Sequence, residues 1–186
     1  MRAALKKWVT TEETFGEKVD GIEFRVFNER TIRAAAGLLF LFGFTGWMLA
    51  LTTGNYMPMR AFGVAFMFDM ILRLFVTTKW VPSLLIASWI VRPQRPEWVD
   101  AAPKKFAWWL GLIMVMSSCY AMGLFAMTGW LPLTLCAICI SLLFVESAFG
   151  ICVGCELARR FSKNKPRLCP GDVCNYTPEK VKKNDR

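Results

Sequence analysis

The sequence predicts an all-α integral membrane protein: a bundle of four transmembrane helices with an interfacial helix between the second and third. Three observations lead there. Of the 186 residues, 55% are hydrophobic, which is too apolar for a soluble domain of this length. Four apolar stretches approach or exceed the twenty or so helical residues that a bilayer crossing needs. Lys and Arg, 23 in all, gather in segments that flank alternate ends of those stretches, as they do in cytoplasmic loops.

Residues 1–33 form a polar and basic segment, with Glu12, Glu13, Glu17, Asp20 and Glu23 among Arg2, Lys6, Lys7, Lys18, Arg25, Arg30 and Arg33. The membrane domain is expected over 34–158. Its first span covers about 34–53 and ends at the turn residues Gly54 and Asn55. The second covers about 61–78 and carries Asp69 and Arg73 inside it. The stretch 81–91 is too short to span. Pro82 opens it, Arg92-Pro93 closes it, and Trp80 and Trp89 suit a helix lying along the membrane surface; a re-entrant piece is the alternative.

The third span covers about 106–127 and the fourth about 131–157, long enough to tilt or protrude. Gly129 and Pro132 mark a short turn that makes these two an antiparallel hairpin. Residues 159–186 are a basic tail containing Cys169 and Cys174.

Orientation follows from charge. The N-terminal segment, the loop with Lys79, Arg92, Arg95, Lys104 and Lys105, and the tail hold nearly all the basic residues. The two opposite loops hold Arg60 alone. Both termini and the middle loop are therefore expected in the cytoplasm. Trp47 and Trp130 at one face, with Trp80, Trp98, Trp108 and Trp109 at the other, suit aromatic belts. The net charge of +9 is accounted for in this way, and no nucleic-acid-binding motif accompanies it.

Three charged residues fall deep inside the apolar stretches. Asp69 and Arg73 are four apart on one helix, so they share a face and can pair. Glu146 lies within the fourth stretch, where an unpaired carboxylate is costly. An Asp69–Arg73–Glu146 network that docks two helices is one reading, and a proton or ion path is the other, which would make the protein a small transporter. Cys136, Cys139 and Glu146 share a helix face, with Cys119 on the facing helix. Packing is the favoured account of these interior thiols.

The remaining cysteines form the candidate site. Cys152-Val153-Gly154-Cys155 ends the last apolar stretch, and Cys169 and Cys174 follow in the tail. Histidine is absent. Two close pairs separated by a short loop resemble a four-thiolate metal site, with Zn the first candidate and an iron–sulfur cluster the second. Alternatively, Cys152 and Cys155 are a redox or sulfur-carrying pair, or inert. Placed at the C-terminal end of a helix, the pair meets the wrong end of the dipole for a reactive thiolate, although Arg159 and Arg160 offset that. A reducing cytoplasm disfavours a lasting disulfide.

Three strings, Phe68-Asp69-Met70-Ile71-Leu72-Arg73, Val99-Asp100-Ala101-Ala102-Pro103-Lys104-Lys105-Phe106-Ala107 and Glu146-Ser147-Ala148-Phe149-Gly150-Ile151-Cys152-Val153-Gly154-Cys155, resemble a bacterial membrane family known as domain of unknown function 4395. The likeness covers about residues 20 to 160. It implies a small helical protein of the bacterial cytoplasmic (inner) membrane and no established activity. Asp69, Arg73, Pro103, Lys104, Glu146, Cys152 and Cys155 match its motifs, and no role comes with them. The resemblance mildly implies a thioredoxin-like or sulfur-transfer protein as partner. The expected function is a cytoplasm-facing cysteine site for thiol redox or sulfur handling. The alternative is a zinc-stabilised accessory or scaffold subunit, in a larger membrane complex and without catalysis.

Overall fold

The computed structural model describes residues 15–19, 25–123 and 128–161. It is built almost wholly of helices, with one small sheet that the sequence did not announce. Strand β1 (Val26–Asn28) pairs antiparallel with β2 (Trp98–Asp100), Phe27 opposite Val99, and Glu17 bridges to the far side of Val26. This sheet ties the entry of the first long helix to the entry of the third. Phe15, Phe27 and Trp108 pack their rings together over it, with centroids 5.1–5.2 Å apart.

Helix α1 (Glu29–Thr53) starts where the Asn28 side chain accepts the Arg30 N–H, and ends at Gly54. It thus begins five residues before the expected span and stops where the turn residues predicted. Asn55 accepts the Met57 N–H, and Pro58 sits in the first turn of α2 (Met57–Ile71). The α-helical pattern then widens into a π turn over Leu72–Val76, closed by the Thr77 N–H on the Leu72 carbonyl. Such insertions recur at functional sites, and Arg73 lies in this one.

After a 3-10 turn, Thr78–Trp80, helix α3 (Pro82–Val91) begins with proline at its first position, where the missing N–H costs nothing. It packs along α1, burying Ser83, Leu84, Ala87 and Val91 and leaving Trp80, Ile86 and Trp89 on the outside. Helix α4 (Ala101–Gly123) opens with the Asp100 carboxylate accepting the Ala102 N–H.

Helix α5 (Trp130–Phe149) ends at Gly150, whose φ of 68° is the left-handed conformation that glycine adopts without strain. The Gly150 N–H closes on the Glu146 carbonyl. The expectation of one helix over 131–157 is corrected by this stop: the chain turns, and a separate helix α6 (Val153–Phe161) lies back against α4.

Among the described residues three helices, α1, α4 and α5, are long and apolar enough to cross a membrane. Within their most apolar stretches only 28%, 33% and 17% of the residues are buried inside the molecule. Most of the apolar surface therefore faces outward, among it Leu41, Phe42, Ile113, Met116, Ile138 and Phe144. Helices α1 and α5, α1 and α2, α2 and α4, and α4 and α5 are all in contact. One end of the bundle thus gathers the starts of α1 and α4, the end of α5 and the whole of α6.

Candidate functional site: a dithiol pair over a buried charge cluster

Cys152 and Cys155 are joined as a disulfide. The expected placement of this pair, at the C-terminal end of a helix, is corrected. Because α5 stops at Phe149, Cys152 does not close a helix but precedes one. Its carbonyl accepts the Glu156 N–H, opening the hydrogen-bond ladder of α6, and its sulfur accepts the Cys155 N–H at 3.3 Å. The pair therefore lies at the positive, N–H-bearing end of a helix.

Gly154 explains how α6 comes so close to α4. A Cβ at that position would lie 2.6 Å from Ala107 Cβ and 2.7 Å from its Cα, distances that no side chain tolerates. The glycine of the Cys-Val-Gly-Cys string is a contact surface, and it fixes the disulfide against the bundle.

Beneath the pair lies a cavity of about 70 Å³. Its lining includes Cys152, Glu146, Arg73 and Cys139 together with Phe66 and Met70. Two buried charge clusters support it. In the first, Lys104 Nζ lies 2.9 Å from Glu29 Oε2 and 3.0 Å from Glu146 Oε1. Lys104 is 3% exposed and Glu29 1%, while the Glu146 side chain is 16% exposed. Arg33 completes the rim by donating to the Ser147 and Ala148 carbonyls at the end of α5.

In the second cluster, Arg73 Nε donates to Asp69 Oδ2 at 2.8 Å and its Nη2 to Ser83 Oγ at 2.7 Å. The Ser83 hydroxyl donates to Asp69 Oδ2, and the Ser83 N–H to Oδ1. Asp69 thereby caps an N–H of the first turn of α3, which has no partner within its own helix. The Arg73 guanidinium also sits over the Trp108 ring at 5.0 Å, a favourable cation–π placement.

The sequence-predicted residues are thus partly reunited. Asp69 and Arg73 pair as their spacing implied, but their third partner is Ser83. Glu146 pairs with Lys104 instead, meeting Arg73 across the shared cavity. Glu29 escaped the sequence reading because Lys104 lies far along the chain, and Ser83 because it meets Asp69 and Arg73 across the turn that separates α2 from α3. Lys104 was legible only as a position in a motif.

The interior thiols remain unbridged. Cys136 shares a 3.2 Å hydrogen bond with Ser118, and the Cys119 sulfur would lie 3.1 Å from a Cβ built on Gly63. Cys139 lines both the main cavity and a smaller one of about 20 Å³ next to it. Among the described residues no group of three or more Cys, Asp or Glu has the geometry of a metal site. The expected zinc ligands Cys169 and Cys174 lie outside the described residues.

A helical bundle with an apolar exterior and a cysteine pair set over buried ion pairs defines the class: a protein with membrane-type helices and a CxxC at one end. The chain belongs to the family of the domain of unknown function DUF4395, whose model matches residues 27–163. Comparison with curated proteins and with solved structures returns no match.

Proposed function

We propose that this protein is a multi-pass protein of the bacterial cytoplasmic membrane that exchanges thiols and disulfides through Cys152 and Cys155. The observation that carries the reading is the disulfide at the start of α6, with the Cys155 N–H directed at the Cys152 sulfur. When the bond opens, a sulfur bearing negative charge is left facing a helix N-terminus, the setting used by reactive CxxC pairs. A cytoplasmic location fits, because disulfides on that side are transient and catalytic.

In this reading α2 and its π turn form a fourth crossing, since together they run from Met57 to Val76, and α3 lies at the membrane interface. The abundance of Lys and Arg at the α6 end supports a cytoplasmic position for that end. The partner in this reading is a soluble dithiol or sulfur-transfer protein of the thioredoxin-like kind, which can reach a pair at the membrane surface.

The test is thiol trapping on purified full-length protein equilibrated in glutathione or dithiothreitol buffers. The expected result is reversible interconversion of one disulfide with two thiols, lost in both Cys152→Ser and Cys155→Ser. Metal analysis of the same reduced sample provides the opposing outcome. One zinc per chain, released in the Cys169→Ser/Cys174→Ser variant, would replace the redox reading with a structural metal site.

A further inference from the structure

The dithiol chemistry proposed above has a proton requirement, and the charge cluster beneath the pair is built to meet it. Opening a disulfide delivers an electron pair to sulfur, and a thiol results only when a proton follows. In water that proton comes from solvent. Here one of the two sulfurs, Cys152, faces a cavity inside the bundle, whereas Cys155 lies a turn further along α6 and outside its lining.

Glu146 lines the same cavity. Its carboxyl belongs to a cluster in which two acids, Glu29 and Glu146, share the single ammonium of Lys104. The two carboxylates outnumber the ammonium between them, so one can hold a proton while the other stays paired with Lys104. Glu29 is sealed at 1% exposure. Glu146 is the member that reaches the cavity. A volume of about 70 Å³, with Glu146, Arg73 and Cys152 among otherwise mostly apolar lining residues, has room for bridging water.

We infer that the Glu29–Lys104–Glu146 cluster is the proton store of the Cys152–Cys155 pair, with Glu146 as the relay group that passes the proton across the cavity to the Cys152 sulfur. This rests on the redox reading. In the reducing direction an incoming thiolate of a dithiol partner bonds to Cys155 Sγ. The Cys152–Cys155 bond breaks and its electron pair stays on Cys152 Sγ, which takes a proton through Glu146. The second thiolate of the partner then displaces Cys155, leaving the partner oxidised and the pair reduced. In the reverse direction the cluster accepts the Cys152 proton as that sulfur attacks the mixed disulfide on Cys155, and the partner thiolate leaves.

Among the described residues the charged and titratable groups around Glu146 are few. Lys104 faces it from α4, Glu29 and Arg33 from α1, and Arg73 from the π turn that follows α2. Cys139 shares its helix and the cavity. On α6, Glu156 is turned towards Arg160 of its own helix, 3.8 Å away.

The experiment measures the rate at which dithiothreitol opens the disulfide of the full-length protein across pH, corrected for the thiolate fraction of the reagent. Wild type is expected to show an inflection from the cluster. Glu146→Gln keeps a hydrogen-bonding partner for Lys104 but cannot pass a proton. Its inflection should vanish and its rate should fall about a hundredfold, the lower end of what a positioned acid–base group supplies. Glu146→Asp keeps the carboxyl and should restore the inflection, which a purely structural role would not require. A Glu146→Gln profile of unchanged shape, at whatever rate, overturns the relay. If wild-type disulfide resists the reagent until the chain is denatured, the redox reading itself falls, and the relay with it.

Discussion

Lys104 is the residue on which the site turns. It is nearly sealed from solvent and touches an acid from α1 and another from α5. Removing one partner of a buried ion pair leaves the other charge uncompensated, at about 3–5 kcal/mol. Lys104→Met strands two carboxylates and is expected to lose at least that much, read as a lowered midpoint of detergent-monitored unfolding. Neutralising the set together, in Glu29→Gln/Lys104→Met/Glu146→Gln, should recover most of the loss. A triple variant as unstable as the single one would show that packing, not charge, is at stake. Gly154 makes a second residue-scale case. Gly154→Ala places a methyl within 2.6 Å of Ala107 Cβ, and overpacking of this kind costs about 1–3 kcal/mol. The added Ala107→Gly change removes the clash with the Cβ but not the one with the Ala107 Cα at 2.7 Å, so it should recover only part of the loss, and that partial recovery reports that α6 docks through this contact.

At the scale of elements, the break between α5 and α6 decides the chemistry. The apolar run 131–157 reads as one helix, and Gly150 inside it looks like any small residue of a membrane segment. Only its left-handed conformation, closed by the N–H bond to Glu146, turns a helix C-terminus into the start of a new helix and reverses the dipole that Cys152 meets. Gly150→Ala should therefore be felt twice. A side chain in that conformation costs about 1–2 kcal/mol, and its Cβ would lie 3.2 Å from the Arg33 guanidinium. Slower disulfide exchange with retained overall helicity is the expected result, measured by thiol trapping beside circular dichroism. Unchanged exchange would show that the stop is not what arms the pair. Other elements were legible for simple reasons. The turn at Gly54 sits where the apolar pattern stops. The Asp69–Arg73 pair follows from a spacing of four on one helix. The β1–β2 ladder was not legible, because two strands of three residues in polar loops carry no periodicity to detect. Nor was the Lys104 cluster, whose members come from three helices and meet only in the folded bundle.

For the molecule as a whole, charge asymmetry and site position make one statement. The starts of α1 and α4, the end of α5 and the whole of α6 lie at one end, where basic residues abound, while Arg60 alone marks the loops opposite. If the positive-inside rule sets orientation, the disulfide works against the reducing pool and must be re-formed by a partner in each cycle. Alkaline phosphatase inserted between Gly54 and Tyr56 should be active in bacterial cells, and the same insertion near Gln94 should be silent. Acid trapping of those cells should then find Cys152 and Cys155 mostly as thiols, with a minor fraction in mixed disulfide with a soluble protein through Cys155. In Cys152→Ser the thiol that resolves that intermediate is gone, so the mixed disulfide should accumulate; in Cys155→Ser it should disappear. The opposite phosphatase pattern would put the pair on the oxidising side, where a standing disulfide needs no partner to remake it, and the exchange cycle would lose its reason.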